Sequence, residues 1–407
     1  MLNYQKPFRS LTLGLAICGG LIALVQPASA TQFKKLVETG QVLPGTTQPV
    51  ATLSEASIGR DGQAVINIQT PFVRNTAGRK SGDQFFGIYS ITKGGKISLL
   101  SQGSKVVDVQ GSIDYKGLLS PSISEGVIAY TTYDLYEPYT NPGQIYTAKS
   151  SLNVGVPGAV KNYGSIVSGF STSKNPRVSF ANGLAYVLES SIVLSEPRPP
   201  IPRPTIRLKV LDTRASNPAF TILVADNNIQ GIRSGSQGVA MLTMTPEKVY
   251  KLFERPNAPN GQFVQLNPQG QNPGSCGFAV SYESIVSCSV AGTQSVLSAR
   301  FGKQSSFVTL PLPNPATLKS VSDPSISNNK ILFKTTEQVA DGPIVERIYV
   351  SRNTQVPKLI LSSGEQLDGK VITGLKLGDN GRSIAGNYVV FTATFSDGSQ
   401  ALYRADL

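Results

Sequence analysis

An all-β fold follows from three observations on the sequence. Apolar residues alternate or run in short β-branched stretches, and no window sustains a 3.6-residue period. The 39 glycines and 27 prolines punctuate the chain at turn spacing. One pattern then recurs seven times: a short β-type segment, a tight Gly or Asn turn, and an apolar β-branched segment, which together read as a hairpin. Seven hairpin units of about four strands each predict a radial, closed architecture, a seven-bladed β-propeller. The competing arrangements are a pair of β-sandwiches and an open β-solenoid.

The first 30 residues stand outside this pattern. Lys6 and Arg9 make a basic start, "LTLGLAICGGLIALV" is an uncharged apolar run, and "ASA" ends at Ala30. This is the layout of a secretory signal peptide over residues 1–30. The run is short for a membrane span, which needs about 20 residues. At "LAIC" (Leu15–Cys18), Ile17 is bulkier than the small residue expected before a lipidated cysteine. Residues 31–407 are therefore expected as one exported domain in the periplasm, the outer envelope or the extracellular space, with no transmembrane span.

The seven units begin near residues 54, 120, 175, 229, 276, 323 and 380, with "SEASIGRDGQAVINI", "SPSISEGVIAYTT", "NPRVSFANGLAYVL", "IQGIRSGSQGVAMLT", "CGFAVSYESIVSCSV", "DPSISNNKILFKT" and "NGRSIAGNYVVFTAT". Third and fourth strands follow in the first unit ("FFGIYSI", "GKISLLSQG") and the sixth ("ERIYVSR", "PKLILSSGEQLDG"). The second shows only a third, "GQIYTAKS". The last unit has "RSIAG", "YVVFTAT" and "QALYRADL" and lacks a fourth strand. At the other end, "FKKLVETGQVLPG" within residues 31–45 has no partner before it and is similar to "KLILSSGEQLDG". The N-terminal strand is thus expected to complete the last unit and close the ring, which also removes exposed strand edges.

Units of the form "PSI..G.VAF...DG...IYR", interleaved with "L..G..LPG" segments, resemble a family of exported bacterial propeller-like repeat proteins, most without an assigned activity. "SPSISEGVIAY", "DPSISNNKILF" and "SDGSQALYRAD" match best; the fourth and fifth units depart from the pattern. The resemblance implies fold and export and carries no catalytic residue.

Composition removes several chemistries. The chain has no histidine, so histidine general bases, Ser-His-Asp triads and His-ligated zinc are excluded. The formal charge of +12 becomes +10 without Lys6 and Arg9, because residues 1–30 hold no acid. The excess is spread along the chain, which suits anionic glycans, lipopolysaccharide or membrane faces and gives no nucleic-acid block. "DNN", "DGS" and "DNG" are turn sequences without a full calcium-loop run, so neither metal nor other cofactor is expected. Cys276 and Cys288 lie either side of the "SYES" turn, and in an exported chain such a pair predicts a cross-strand disulfide.

Loops between second and third strands are long in the first three units and emerge on one face. They are expected to bring Tyr133, Tyr136 and Tyr139 beside Arg74, Arg79, Lys80, Arg198 and Arg203 as a binding platform, since tyrosine and arginine favour recognition. The same tyrosines can instead pack their loop onto its blade, and "EPRPPIPRP" can serve as a polyproline spacer. Arg177, aligned with Ser57, Ser122, Ser325 and Ser383 on the innermost strands, is a candidate anion ligand in the channel, or equally a structural partner for an acid of the neighbouring blade. Asp61, Asp134, Glu137, Asp341 and Asp397 fall in predicted turns, and a catalytic role requires two of them to converge. The leading expectation is a non-enzymatic binding module for a glycan, an envelope component or a protein. A polysaccharide hydrolase or lyase using carboxylates or tyrosine at the channel mouth is the alternative, and a purely structural envelope protein is the third.

Overall fold

A computed structural model describes residues 31–407 apart from 75–79, 109–111, 138–145, 166–176, 192–204, 292–293, 303–305, 379–380 and positions 259, 269, 271, 283 and 339. The expected signal segment, Arg79, Tyr139, Arg198 and Arg203 lie outside these residues. Among the described residues all regular structure is β-strand.

Turn chemistry sets the hairpins. In Glu125–Gly126 both φ angles are positive (53° and 76°), as they are in Asn182–Gly183 (48° and 72°). Two-residue turns of this hand match the twist of the strands they join. Pairing then runs in chain order. Four sheets each hold four consecutive strands, spanning 177–225, 229–266, 278–309 and 318–362.

The first two units depart from expectation by sharing one nine-stranded sheet. Their adjoining strands, Ile97–Asp108 and Ile113–Ser124, are long, and Ser104–Val107 pairs with Ile113–Lys116 across a short connection. The fourth strand of the second unit, not evident from its sequence, is Ala159–Ser165.

The sixth sheet joins the two ends of residues 31–407. Gln32–Glu38 pairs antiparallel with Gln400–Asp406, placing Phe33 opposite Ala405 and Val37 opposite Leu402. Beyond the strand, Thr39 N donates to Gln400 O at 2.8 Å and Tyr89 Oη donates to Pro44 O at 2.9 Å. Val37 and Leu402 are buried in one cluster with Ile58 and Ile66 of the first unit.

Successive first strands touch. Thr52–Ile58 contacts Ile113–Ser124, which contacts Arg177–Ala181; the series continues through Ile229–Gly235, Phe278–Ser281 and Leu318–Ser327 to Ile384–Ala385, and that pair contacts Thr52–Ile58 again. The buried apolar side chains of the described residues form seven clusters, each shared by neighbouring units. Leu332 and Ile348 pack with Val389 and Phe391, for example, and Ala129 and Leu152 pack with Val178 and Phe180. Each sheet therefore buries both faces against its neighbours, which explains strands buried on nearly every residue, such as Ala64–Gln69.

Polar groups stitch the same boundaries. Ser57 Oγ donates to Pro121 O at 2.8 Å, and Asn67 Nδ2 donates to Leu118 O at 2.7 Å. Ser179 and Ser234 hydroxyls share a 2.9 Å bond. Ser383 N donates to Ser325 Oγ at 3.3 Å, and Ile58 N donates to Arg382 O at 3.0 Å. These serines are buried and serve packing between units; they do not line an open channel.

Candidate functional site

The tips of the first hairpins gather at one end of the first-strand circuit. Ile58–Arg60, Ser124–Glu125, Ala181, Ser236, Ser281–Tyr282 and Ser327 surround Arg382 there. Arg382 comes from the segment preceding Ile384–Ala385, yet its Nη2 donates to Phe180 O at 2.9 Å and Ser234 O at 2.5 Å, carbonyls of the third and fourth units. The guanidinium thus crosses the centre and leaves a cleft of about 50 Å³. That is room for a few waters, far below the roughly 300–1,000 Å³ of a small-molecule site.

Arg382 keeps a little surface at the cleft but has protein on all sides. This desolvation, with the Arg60 charge adding to it, lowers its pKa to about 10. Arg60 is itself held at the rim, donating to Asn328 Oδ1 at 3.1 Å. The sequence carried no sign of a centre-crossing arginine; "NGRSIAG" reads only as a turn and a strand.

Arg177 does not occupy the position expected for it. Hairpin register places Ser179 opposite Tyr186 and Ser122 opposite Ala129, each two pairs before its turn, so Ser179 is the counterpart of Ser122. Arg177 lies two residues earlier, opposite Leu188. Polar–apolar alternation has a period of two, and a slip of two residues leaves it unchanged.

The tyrosine–arginine platform is rearranged where it can be seen. The strand Val127–Glu137 extends through the segment expected as loop and contains both Tyr133 and Tyr136. Tyr133 is only 4% exposed. Its backbone is paired with Gly117, and its ring occupies the space a Cβ there would need, 5.5 Å from the Tyr115 ring centroid. A bulky aromatic over a cross-strand glycine is a packing pair, and burial pushes the Tyr133 phenol above its ordinary range. Tyr133 thus packs its blade. Tyr136 pairs through its backbone with Asp114 and Tyr146. Arg74 is exposed on Val73–Arg74, a short arm paired with Lys80–Ile91.

Two of the candidate carboxylates, Asp61 and Asp397, have local partners. Asp61 Oδ1 accepts from Gln63 N at 3.1 Å within its turn. Asp397 accepts from Ser399 N at 2.9 Å and is 2.8 Å from Lys370 Nζ; hydrogen bonds from Lys370 and Ser399 hold it well below the usual carboxylate range. Among the described residues no three His, Cys, Asp or Glu side chains are placed to hold a metal ion.

Cys276 and Cys288 form a disulfide with Cα atoms 5.2 Å apart. Its position differs slightly from the expected cross-strand pair. Phe278 is opposite Ser287, so Cys276 sits just outside the strand Phe278–Ser281, in the turn that precedes it, where Cys288 N donates to Gly277 O at 2.9 Å. Among the described residues no helix is long and apolar enough to cross a membrane.

No family model and no curated protein matches this sequence. Among solved structures, the chain is similar to TolB from Acinetobacter baumannii, at 12% identity and a TM-score of 0.37, with 84% of this chain and 80% of that one covered. It is similar to YCF48 from Cyanidioschyzon merolae at 10% identity and a TM-score of 0.39, covering 91% and 98%. A post-proline cleaving enzyme from Rickettsia typhi is matched at 12% identity and a TM-score of 0.42 over 88% of this chain, which spans about half, 49%, of the enzyme. None of these likenesses brings a site residue or an activity to this chain.

Proposed function

We propose that this chain is an exported seven-bladed β-propeller that acts as a non-enzymatic binding scaffold for a glycan, an envelope component or a protein. The circuit of first strands, the clusters shared by neighbouring units and the pairing of Gln32–Glu38 with Gln400–Asp406 support the ring. The disulfide and the pattern of residues 1–30 support export.

The observation that carries the binding reading is Arg382. Its side chain fills the centre, so recognition is directed to the faces of the ring, where loops on a rigid scaffold supply contacts. On the face of the second-to-third-strand loops, Arg74, Arg79, Tyr136, Tyr139, Arg198 and Arg203 are the proposed contacts. Tyr133 leaves that set because it is buried.

A carbohydrate array and an envelope-extract pull-down, run with the mature chain and with a variant lacking residues 192–204, test the proposal. Binding lost in the variant supports it, and release of reducing ends or unsaturated sugars would replace it with a hydrolase or lyase. N-terminal sequencing of the exported protein should begin at Thr31.

A further inference from the structure

The face of the first-hairpin turns holds a second feature, separate from the long loops. Between the sixth and seventh units an open recess of about 370 Å³ is lined by Asn328, Asn329, Lys330, Arg352, Asn387 and the backbone of Gly386. Lys330 and Arg352 stand directly opposite one another in the strand register. Like charges in that relation repel, and no carboxylate is among the lining residues.

The rest of the same sheet is arranged differently. Lys334 lies 2.9 Å from Glu346, and Arg347 is bonded to Glu337, so the cations four and five pairs further along each have an acid. Among the described residues the partner of Lys330 is an amide, Asn387, whose Oδ1 accepts from its Nζ at 2.5 Å, and Arg60 at the rim likewise donates to Asn328 Oδ1. With their carbonyl oxygens engaged by cations, both amides keep their NH₂ groups as donors. Burial first, and the Arg352 charge second, lower the Lys330 pKa, as expected of a cation without an anion.

We propose that this recess binds the carboxylate of an acidic sugar, with the anion between Lys330 and Arg352 and the ring hydroxyls on the amides of Asn328, Asn329 and Asn387. A guanidinium matches a carboxylate bidentately, and the anion would relieve the repulsion that the sheet imposes. The recess is of the size of small-ligand sites, unlike the cleft at Arg382. It is independent of the long-loop platform, because turns between first and second strands emerge on the face opposite the loops between second and third.

The test is calorimetric titration of the mature chain with glucuronate, glucose and inorganic phosphate, repeated with Arg352→Gln and Lys330→Gln. Glucuronate should bind, glucose should bind at least tenfold more weakly, and each substitution should weaken glucuronate at least tenfold. Glucuronate should also raise the melting temperature of the parent and not of the variants. Removing one of two opposed like charges should leave each variant at least as stable as the parent, so loss of binding is not loss of fold. Equal binding of glucuronate and glucose, or unchanged binding in both variants, would overturn the proposal. Phosphate bound as tightly as glucuronate would overturn the sugar assignment. The 192–204 deletion should leave this binding intact, so the loop-face reading can fail without it.

Discussion

Removing residues 31–45 would test the seam directly. The deletion takes away Leu36, Val37 and Leu43, which are 7%, 1% and 2% exposed. At about 1.5–3 kcal/mol for each buried aliphatic side chain, the direct loss is about 5–9 kcal/mol. Two further terms have the same sign. Leu402, fully buried opposite Val37, would face water, and the buried Tyr89 hydroxyl would lose Pro44 O as acceptor. Domain stabilities are typically about 5–15 kcal/mol, so a chain beginning at Thr46 is expected to be barely folded or aggregated, its Gln400–Asp406 edge unpaired. Circular dichroism melting of chains 31–407 and 46–407 measures the difference. A synthetic 31–45 peptide added in trans should then raise the melting temperature of the shorter chain. If the shorter chain melted with the longer one, the strand Gln32–Glu38 would be an ornament on an otherwise complete structure and the closure argument would fail.

Reducing the Cys276–Cys288 bond, which closes a loop of 12 residues' separation, should lower stability by about 3 kcal/mol; guanidinium unfolding with and without reductant checks this, and coincident midpoints would contradict it. Tyr133→Ala should cost about 3–5 kcal/mol as a core truncation, while Tyr133→Phe should cost under about 1.5 kcal/mol and leave any loop-face ligand bound as before; a variant that kept its stability and lost ligand would restore Tyr133 as a contact. Burial pushes Tyr89, Tyr186 and Tyr349 up to about 12. The unfolded chain ionises near pH 10, so it binds fewer protons than the fold between pH 10 and 12, and stability should fall as pH rises through that window. The lowered values of Lys330 and Arg382 act in the opposite sense, and melting temperatures from pH 9 to 11.5 read the balance. Arg382→Met gives up two charged-donor bonds at about 1.5–3 kcal/mol each and recovers a desolvation cost of roughly 3 kcal/mol, so denaturant midpoints should place its net loss below about 3 kcal/mol.

Much of the fold was legible because it is written in local signals. "SEGV" and "ANGL" specify two-residue turns, and the orphaned "FKKLVETG" needed a partner that only the last unit could offer. What stayed hidden depends on pairs across strands or units. The burial of Tyr133 rests on Gly117, 16 residues earlier and opposite it in register, and nothing within "TTYDLYEPY" distinguishes a core ring from a loop ring. The sharing of one sheet by the first two units rests on Ser104–Val107 meeting Ile113–Lys116 at the ends of two long strands, a matter of strand length that hydrophobic alternation does not fix. The placement of Arg177 failed through a two-residue slip to which alternation is blind. The candidate site was the least legible part, because Arg382, Lys330 and Arg352 become meaningful only through neighbours from other strands or other units.

The position of these cations follows from how the sheets pack. Interior positions are spent on packing between neighbouring sheets, and even the polar residues of the first strands are consumed in bonds across unit boundaries, as Ser57, Ser179 and Ser325 show. A cation placed there must find acceptors inside the fold, and Arg382 finds them in two backbone carbonyls on the far side of the centre. A cation on a turn face faces no such demand, since water can solvate it until a ligand does. Lys330 and Arg352 can therefore tolerate being opposed without an acid, at a cost in repulsion that only an anion would remove. The same scaffold thus uses one arginine to bridge its centre and sets another pair of cations, with no carboxylate among the lining residues, at an open recess on its rim.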